Sequence, residues 1–108
     1  MSEPHPKPRI LVAEDVRAIS ILITHVLQGR GYEVEAARDG EECLALIAAR
    51  RPDLVILDLM MPRLNGIEVL KRLRADAATR DLKVIVCTAK DFTTEMKHVS
   101  EFGVSDVI

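Results

Sequence analysis

The sequence predicts an α/β fold built on a parallel β-sheet. Short apolar runs of strand length alternate with longer segments whose apolar residues recur at helical spacing, a pattern typical of βαβ units. Residues 54–57 and 84–87 are unbroken apolar runs, as expected of strands buried on both faces of a sheet. At 108 residues and 48% hydrophobic content, the chain has the size of one domain with a single core.

The first strand is expected over residues 9–13 and the first helix over about residues 16–28. Glycine tolerates the left-handed conformation of a helix C-cap, so Gly29 and Gly31 indicate the end of this helix. A weaker second strand over residues 32–36 is expected at an edge of the sheet. The apolar stripe of the helix, at offsets 0, 3, 4, 7 and 8, consists of Ile19, Leu22, Ile23, Val26 and Leu27.

The second helix opens with the pattern of a capping box, in which Asp39 is the N-cap and Glu42 follows three residues later. Its inward residues are expected to be Leu44, Ile47 and Ala48.

The later elements continue the same alternation. A third strand is expected over residues 53–58, a loop over 60–66 and a third helix over about 67–75. A fourth strand over residues 82–88, a fourth helix over 91–102 and a fifth strand over 105–108 complete the pattern. The inward residues of the third helix are expected to be Ile67, Leu70 and Leu73.

Polar residues end three of the predicted strands. Glu14 and Asp15 follow the first strand, Asp58 ends the third and Thr88 ends the fourth. Because the carboxyl ends of parallel strands meet along one edge, these side chains are expected to share a crevice. Clustered carboxylates repel one another, whereas Mg²⁺ prefers hard oxygen ligands and bridges to phosphoryl groups. The pattern therefore predicts a site for a divalent cation and a phosphate, with a carboxylate as the candidate nucleophile.

Each of these residues also has a simpler interpretation when taken alone. Asp15 directly precedes a helix and is a candidate N-cap, and Asp58 is a candidate turn residue. Thr88 is an ordinary strand residue, and Lys90 most simply opens the fourth helix. The recurrence of polar residues at the same end of several strands favours the site.

Composition argues against several other functions. The formal charge of -2 and the dispersed Lys and Arg give no reason to expect direct nucleic-acid or membrane binding. Residues 1–8 contain three prolines and no signal-like apolar stretch, so we expect a flexible leader. Cys43 and Cys87 stand apart, as expected of unpaired thiols in a reducing compartment, and we predict a cytoplasmic protein. The histidines share no ligand spacing, and no glycine-rich phosphate loop follows the first strand.

Three motifs resemble the receiver domain of two-component response regulators. They are ILVAED at residues 10–15, PDLVILDLMMPRLNG at 52–66 and VIVCTA at 84–89. The resemblance covers residues 9–108, which we take as the domain. It implies a flavodoxin-like, doubly wound sheet of five parallel strands in the order 2-1-3-4-5.

The resemblance also implies a role for each site residue. Asp58 would accept a phosphoryl group from a histidine kinase or a histidine phosphotransfer protein, and Thr88 would bond its oxygen. Asp15, Asp58 and the backbone carbonyl of Met60 would ligate Mg²⁺, with Glu14 acting mostly through water. Such a domain catalyses its own phosphorylation and dephosphorylation and is not a conventional turnover enzyme. It switches a face made of the fourth helix and fifth strand, which an output domain or downstream protein would contact. The loop beside the site would be shaped by Pro62 and Gly66.

Two departures from the family pattern concern the end of the chain. Val107 falls where the family has an aromatic switch residue, and the family's lysine would fall two places beyond Ile108. The helix that follows in the family is not part of this sequence either. We therefore expect a C-terminally incomplete receiver with slow or no productive phosphorylation and retained Mg²⁺ binding. We also expect bare apolar surface that favours a homodimer or a domain swap.

Two other functions are alternatives to the phosphoacceptor role. One is a receiver-like protein-interaction module that works without phosphorylation, which the departures favour and the intact acidic residues disfavour. The other is an aspartyl-phosphate phosphatase, which is disfavoured because Met60 occupies the place of the second aspartate that such an enzyme needs.

Overall fold

The computed structural model describes residues 7–61 and 64–87 and, for the backbone alone, residues 106–107. In chain order the elements are β1 (Arg9–Ala13), α1 (Arg17–Gly29), β2 (Glu33–Ala37), α2 (Gly40–Ala49), β3 (Leu54–Asp58), α3 (Gly66–Ala75), β4 (Lys83–Cys87) and β5 (Asp106–Val107). Thr88, Pro62 and the predicted fourth helix lie outside the described residues.

The strands form one parallel sheet in the order β2-β1-β3-β4-β5. The predicted doubly wound order is confirmed for the first four strands, and β2 lies at an edge as expected. In the register of the sheet, Ala13 of β1 lies opposite Leu57 of β3, and Asp58 lies opposite Cys87 of β4. The ends of β1, β3 and β4 are therefore nearly level.

One face of the sheet forms the main core with α2 and α3. Because side chains alternate between the faces of a strand, every second residue of β1, β3 and β4 contributes to this core. The buried residues on these elements include Leu11, Ala13, Cys43, Ile47, Val55, Leu57, Val69, Leu70, Leu73, Val84 and Val86. Ala48 was expected to face inward and is instead exposed, whereas Cys43 takes the buried position on α2.

Helix α1 covers the other face of the sheet incompletely. No residue of α1 is buried. Some residues of the predicted apolar stripe are half-buried and others are exposed. Ile23 and Leu27 are half-buried, whereas Leu22 is 62% exposed and Val26 is 49% exposed. The helix lies against β1 and the edge strand β2, and part of its apolar stripe is not covered by these strands.

The helix ends follow local signals in the sequence. Gly31 adopts a φ of 93° after α1, and its N–H donates to the Gln28 carbonyl at 3.1 Å. The Asp39 side chain caps α2 by accepting the N–H of Glu42 at 2.8 Å. In a capping box, the Glu42 side chain would also accept the backbone N–H of the N-cap residue, Asp39. It instead accepts the N–H of Arg38, one residue before the cap.

Arg9 connects three strands at the amino-terminal edge of the sheet. Its backbone N–H donates to Asp53 Oδ2 at 2.7 Å, and its guanidinium donates to the Arg50 carbonyl at 3.1 Å. The same guanidinium pairs with Glu33 and Glu35 of β2. With its side chain 12% exposed, Arg9 holds β1 in register with both of its neighbours.

Across the described ranges, no helix combines the length and the apolar character that crossing a membrane requires.

We predict that alanine is tolerated at Gly29 and not at Gly66. A Cβ at Gly66 would lie 2.6 Å from the Asp58 carbonyl oxygen and 2.8 Å from Leu59 Cα, so the backbone must shift. A Cβ at Gly29 would meet nothing within 4 Å, and alanine is the better helix former. Urea unfolding should show Gly66→Ala destabilised by about 1–3 kcal/mol and Gly29→Ala unchanged or slightly stabilised. Equal stability of the two variants would contradict this account of the tight approach at Gly66.

Candidate functional site

Three carboxylates converge at the carboxyl edge of the sheet. One oxygen from each of Glu14, Asp15 and Asp58 lies within 4.8 Å of the other two. The convergence follows from the parallel pairing of β1 with β3, because the chains leaving these strands emerge side by side. The structure thus brings together the three acidic residues that were predicted from the sequence to share a crevice.

Asp58 ends the central strand β3 and is largely buried, at 9% exposure. Its Oδ1 accepts the N–H of Met60 at 3.0 Å, which turns the carboxylate over the first residues of the following loop. This hydrogen bond therefore fixes the orientation of the Asp58 side chain.

Glu14 is the most buried member of the cluster, at 6% exposure. Its backbone N–H donates to the Ala37 carbonyl at 3.0 Å, extending the pairing of β1 with β2, and its Oε1 accepts the N–H of Val16 at 3.1 Å. Burial raises the pKa of Glu14 to about 7, and the negative charges of Asp58 and Asp15 add to the shift. The N–H of Val16 acts in the opposite direction. The cluster therefore holds a proton more readily than ordinary carboxylates do.

Asp15 is exposed and does not cap α1. The N-cap of α1 is Val16, whose own side chain makes no capping hydrogen bond. The alternative interpretation of Asp15 as a capping residue is therefore not what the structure shows, because Val16 separates it from the first turn. Its carboxylate instead faces the other two acidic residues.

The loop after β3 is anchored beside Asp58 by contacts that the sequence analysis missed. Leu59 and Met61 are buried on either side of Met60, which is 50% exposed. The Gly66 N–H donates to the Leu59 carbonyl at 3.2 Å and closes the loop against the end of β3. No signal in the sequence distinguished the buried Leu59 and Met61 from the exposed Met60, because all three residues are apolar. The structure places Met60 beside the site, and ligation by its carbonyl stays a prediction.

A cavity of about 350 Å³ adjoins the carboxylates between α1 and the turn that leads into α2. Besides Glu14 and Asp15, it is lined by Arg17, Arg38 and Glu42. Arg38 and Glu42 form an ion pair at 3.6 Å. No signal in the sequence linked Arg17 or Arg38 to the carboxylates, and Glu42 was predicted only as a capping-box residue, because the turn before α2 meets α1 only in the fold.

Cys87 lies opposite Asp58 in the register of the sheet and is half-buried. Burial raises the pKa of its thiol, and the nearby charges of Asp58 and Glu14 add to the effect. The thiol therefore ionises less readily beside the cluster than an ordinary cysteine thiol does.

The chain is similar in sequence to known proteins. A family model described as the response regulator receiver domain matches residues 10–108. Response regulator MprA of Mycolicibacterium vanbaalenii is 45% identical over 100 residues, which make up 93% of this chain and 42% of that protein. The chain therefore spans about two fifths of the length of this curated relative.

Two solved structures show the same fold. The phosphorylated cyanobacterial phytochrome response regulator RcpA matches with a TM-score of 0.89 and 29% identity, covering 95% of this chain and 80% of that one. The Mn²⁺-bound form of response regulator Rcp1 matches with a TM-score of 0.87 and 28% identity, with the same coverage.

We predict that, without divalent cations, the free energy of unfolding falls as the pH rises from about 4.5 to about 7. The native state holds the Glu14 proton through this range, whereas the unfolded state releases it near the ordinary value of 4.5. This contribution is complete below pH 4.5 and is lost as the pH rises through 7. Urea unfolding in chelator should show a loss of about 1–2 kcal/mol that Glu14→Gln removes.

The matched control is Glu41→Gln, which removes an exposed carboxylate of α2. It should follow the wild-type pH profile. A Glu14→Gln profile that runs parallel to the wild type would show that Glu14 titrates normally.

Proposed function

The chain belongs to the response regulator receiver domain family, and from this we propose that its phosphoacceptor is Asp58. The observation that carries the assignment is the placement of the Asp58 carboxylate at the end of the central strand, within 4.8 Å of two other carboxylates. Among the carboxylates of this cluster, it alone ends β3 directly and has an oxygen bonded to the following loop.

The donor set suits Mg²⁺. Carboxylate oxygens are hard ligands, and three of them converge in one place with Asp15 open to solvent. Asp15 and Asp58 would ligate the ion directly together with the Met60 carbonyl, and Glu14 would act mostly through water. When bound, the cation would offset the repulsion among the carboxylates and neutralise charge on a phosphoryl group. The Mn²⁺-bound form of Rcp1 supports a divalent cation in this family.

The chemistry of transfer rests on the Asp58 carboxylate. An Asp58 oxygen attacks the phosphorus of a phosphohistidine, the P–N bond breaks, and the imidazole leaves with the bonding pair. The product is an acyl phosphate on Asp58, and hydrolysis of that bond returns the carboxylate. The Met60 N–H holds one carboxylate oxygen in place, which reduces the ordering needed before attack. Phosphorylated RcpA supports this modification.

Sensing of the phosphoryl group is assigned to Thr88 on sequence grounds. Thr88 follows Cys87 in the sequence, and Cys87 lies opposite Asp58 in the register of the sheet. Its hydroxyl would bond a phosphoryl oxygen and shift with it. The change would pass to the face that begins at residue 91 and includes β5, where Val107 lies opposite Val86 in the backbone register.

The partners follow from this role. A histidine kinase or phosphotransfer protein would supply the phosphoryl group, and an output domain or downstream protein would respond to it. We propose a cytoplasmic setting, where such donors and Mg²⁺ are available. A homodimer through exposed apolar surface, the absence of direct nucleic-acid binding and the slow phosphorylation rate stay predictions from the sequence.

We predict that a small-molecule phosphodonor with Mg²⁺ adds one phosphoryl group at Asp58, measured by intact mass and peptide mapping. Asp58→Asn should abolish the addition because an amide is a poor nucleophile. Asp81→Asn removes an exposed carboxylate far from the cluster and should retain the labelling. Equal labelling of Asp58→Asn and wild type would refute the assignment. Wild-type protein that neither binds Mg²⁺ nor can be labelled would favour the interaction module instead.

We predict that Asp15→Asn and Asp58→Asn each weaken Mg²⁺ binding by at least about tenfold, measured by titration calorimetry. Each loses a direct carboxylate ligand, whereas Glu14→Gln should have a smaller effect because Glu14 acts through water. Glu41→Gln should bind as the wild type does. If none of the three site variants differs from Glu41→Gln, the cation does not bind at this cluster.

A further inference from the structure

A second cavity lies at the opposite edge of the sheet from the carboxylates. It has a volume of about 450 Å³ and is enclosed by the carboxyl-terminal halves of α2 and α3 and the turn after α3. Among its lining residues, none belongs to the carboxylate site. The receiver chemistry proposed above therefore leaves this cavity unexplained.

The floor of the cavity is apolar. Leu44 of α2 is half-buried, and Ile47 and Leu73 are buried beneath the opening. The exposed side chains of Ala48 and Ala78 stand at its rim and leave the floor accessible. A short hydrocarbon chain would cover this surface, with the free energy that burying apolar area provides.

Hydrogen bonds hold the wall formed by the turn after α3. The Thr79 hydroxyl donates to the Leu73 carbonyl at 2.6 Å, and the Ala78 N–H donates to Asp76 Oδ1 at 2.9 Å. Arg51 Nε of the opposite wall donates to the Ala78 carbonyl at 3.2 Å. The cavity is thus largely preformed, which lowers the ordering cost of binding a ligand.

The charge at the rim favours an anion. Arg51 and Arg72 both line the cavity, and neither forms an ion pair with a carboxylate of the described residues. The rim has one carboxylate, that of Asp76, which accepts the Ala78 N–H. Two positively charged guanidinium groups thus face one negative charge at the rim. A planar guanidinium binds carboxylate or phosphate oxygens in pairs, with charge-assisted hydrogen bonds.

We propose that this cavity binds a small amphipathic organic anion. Its apolar chain lies on the floor at Ile47 and Leu73, and its carboxylate or phosphate pairs with the rim arginines. Because the cavity is remote from Asp58, this binding does not require phosphorylation and does not depend on the function proposed for the carboxylates.

The test uses octanoate below its micelle concentration, with octan-1-ol and acetate as probes that lack the charge or the chain. Amide chemical shifts of Ala48, Ala78 and Thr79 should move in a saturable way with octanoate. Octanoate should bind about tenfold more tightly than octan-1-ol, because only the anion gains charge-assisted bonds. Acetate should produce no saturable change.

Two sets of variants locate the binding. The double variant Arg51→Gln and Arg72→Gln should remove the preference for octanoate over octan-1-ol. Ala48→Phe fills the cavity from an exposed position and should abolish binding of both, whereas Ala49→Phe, an exposed α2 position outside the lining, should retain it. Amide spectra with the dispersion of the wild type show that each variant is folded.

Three outcomes of the octanoate titrations would overturn the proposal. They are octanoate that binds no more tightly than octan-1-ol, affinity that survives both Ala48→Phe and the double arginine variant, and shifts confined to amides outside the cavity. An acidic peptide that binds where octanoate does not would also overturn it and would identify the cavity as a protein contact.

Discussion

The parallel pairing of β1 with β3 is the constraint on which the site depends. With Ala13 opposite Leu57, the two strands end level, and the residues that follow them emerge into the same space. A slip of one residue would turn every side chain of a strand to the other face and separate the carboxylates. Arg9 opposes such a slip at the other edge, because it bonds the chain before β3 and pairs with β2.

The sheet holds the carboxylates in an arrangement that their charges oppose. Burial and mutual repulsion disfavour ionisation, and the raised pKa of Glu14 is the result. Two backbone N–H groups, those of Val16 and Met60, compensate in part by donating to Glu14 and Asp58. The divalent cation proposed for this cluster would relieve the remaining imbalance.

The two faces and the two edges of the sheet differ in what they offer to other molecules. The face that carries α2 and α3 is sealed by a continuous core, whereas α1 leaves Leu22 and Val26 exposed on the other. The carboxyl edge gathers acidic groups, while the amino edge carries a basic rim at Arg51 and Arg72. A ligand at one edge therefore need not compete with chemistry at the other.

By itself, the sequence determined the order of the elements and the acidic members of the site. Branched apolar runs specify central strands, and the position of Asp58 at the end of such a run places it at the carboxyl edge. Glycines and capping residues located the helix ends to within about one residue in this case, because their conformational preferences are local.

The tertiary structure alone decided what covers each apolar stripe, since the period of a pattern identifies a face and not its partner. It also decided that Val16 displaces Asp15 from the cap of α1, that Glu14 is buried enough to hold a proton near neutral pH, and that Arg51 and Arg72 meet at one cavity. Each of these depends on distances between elements far apart in the chain, which no local pattern encodes.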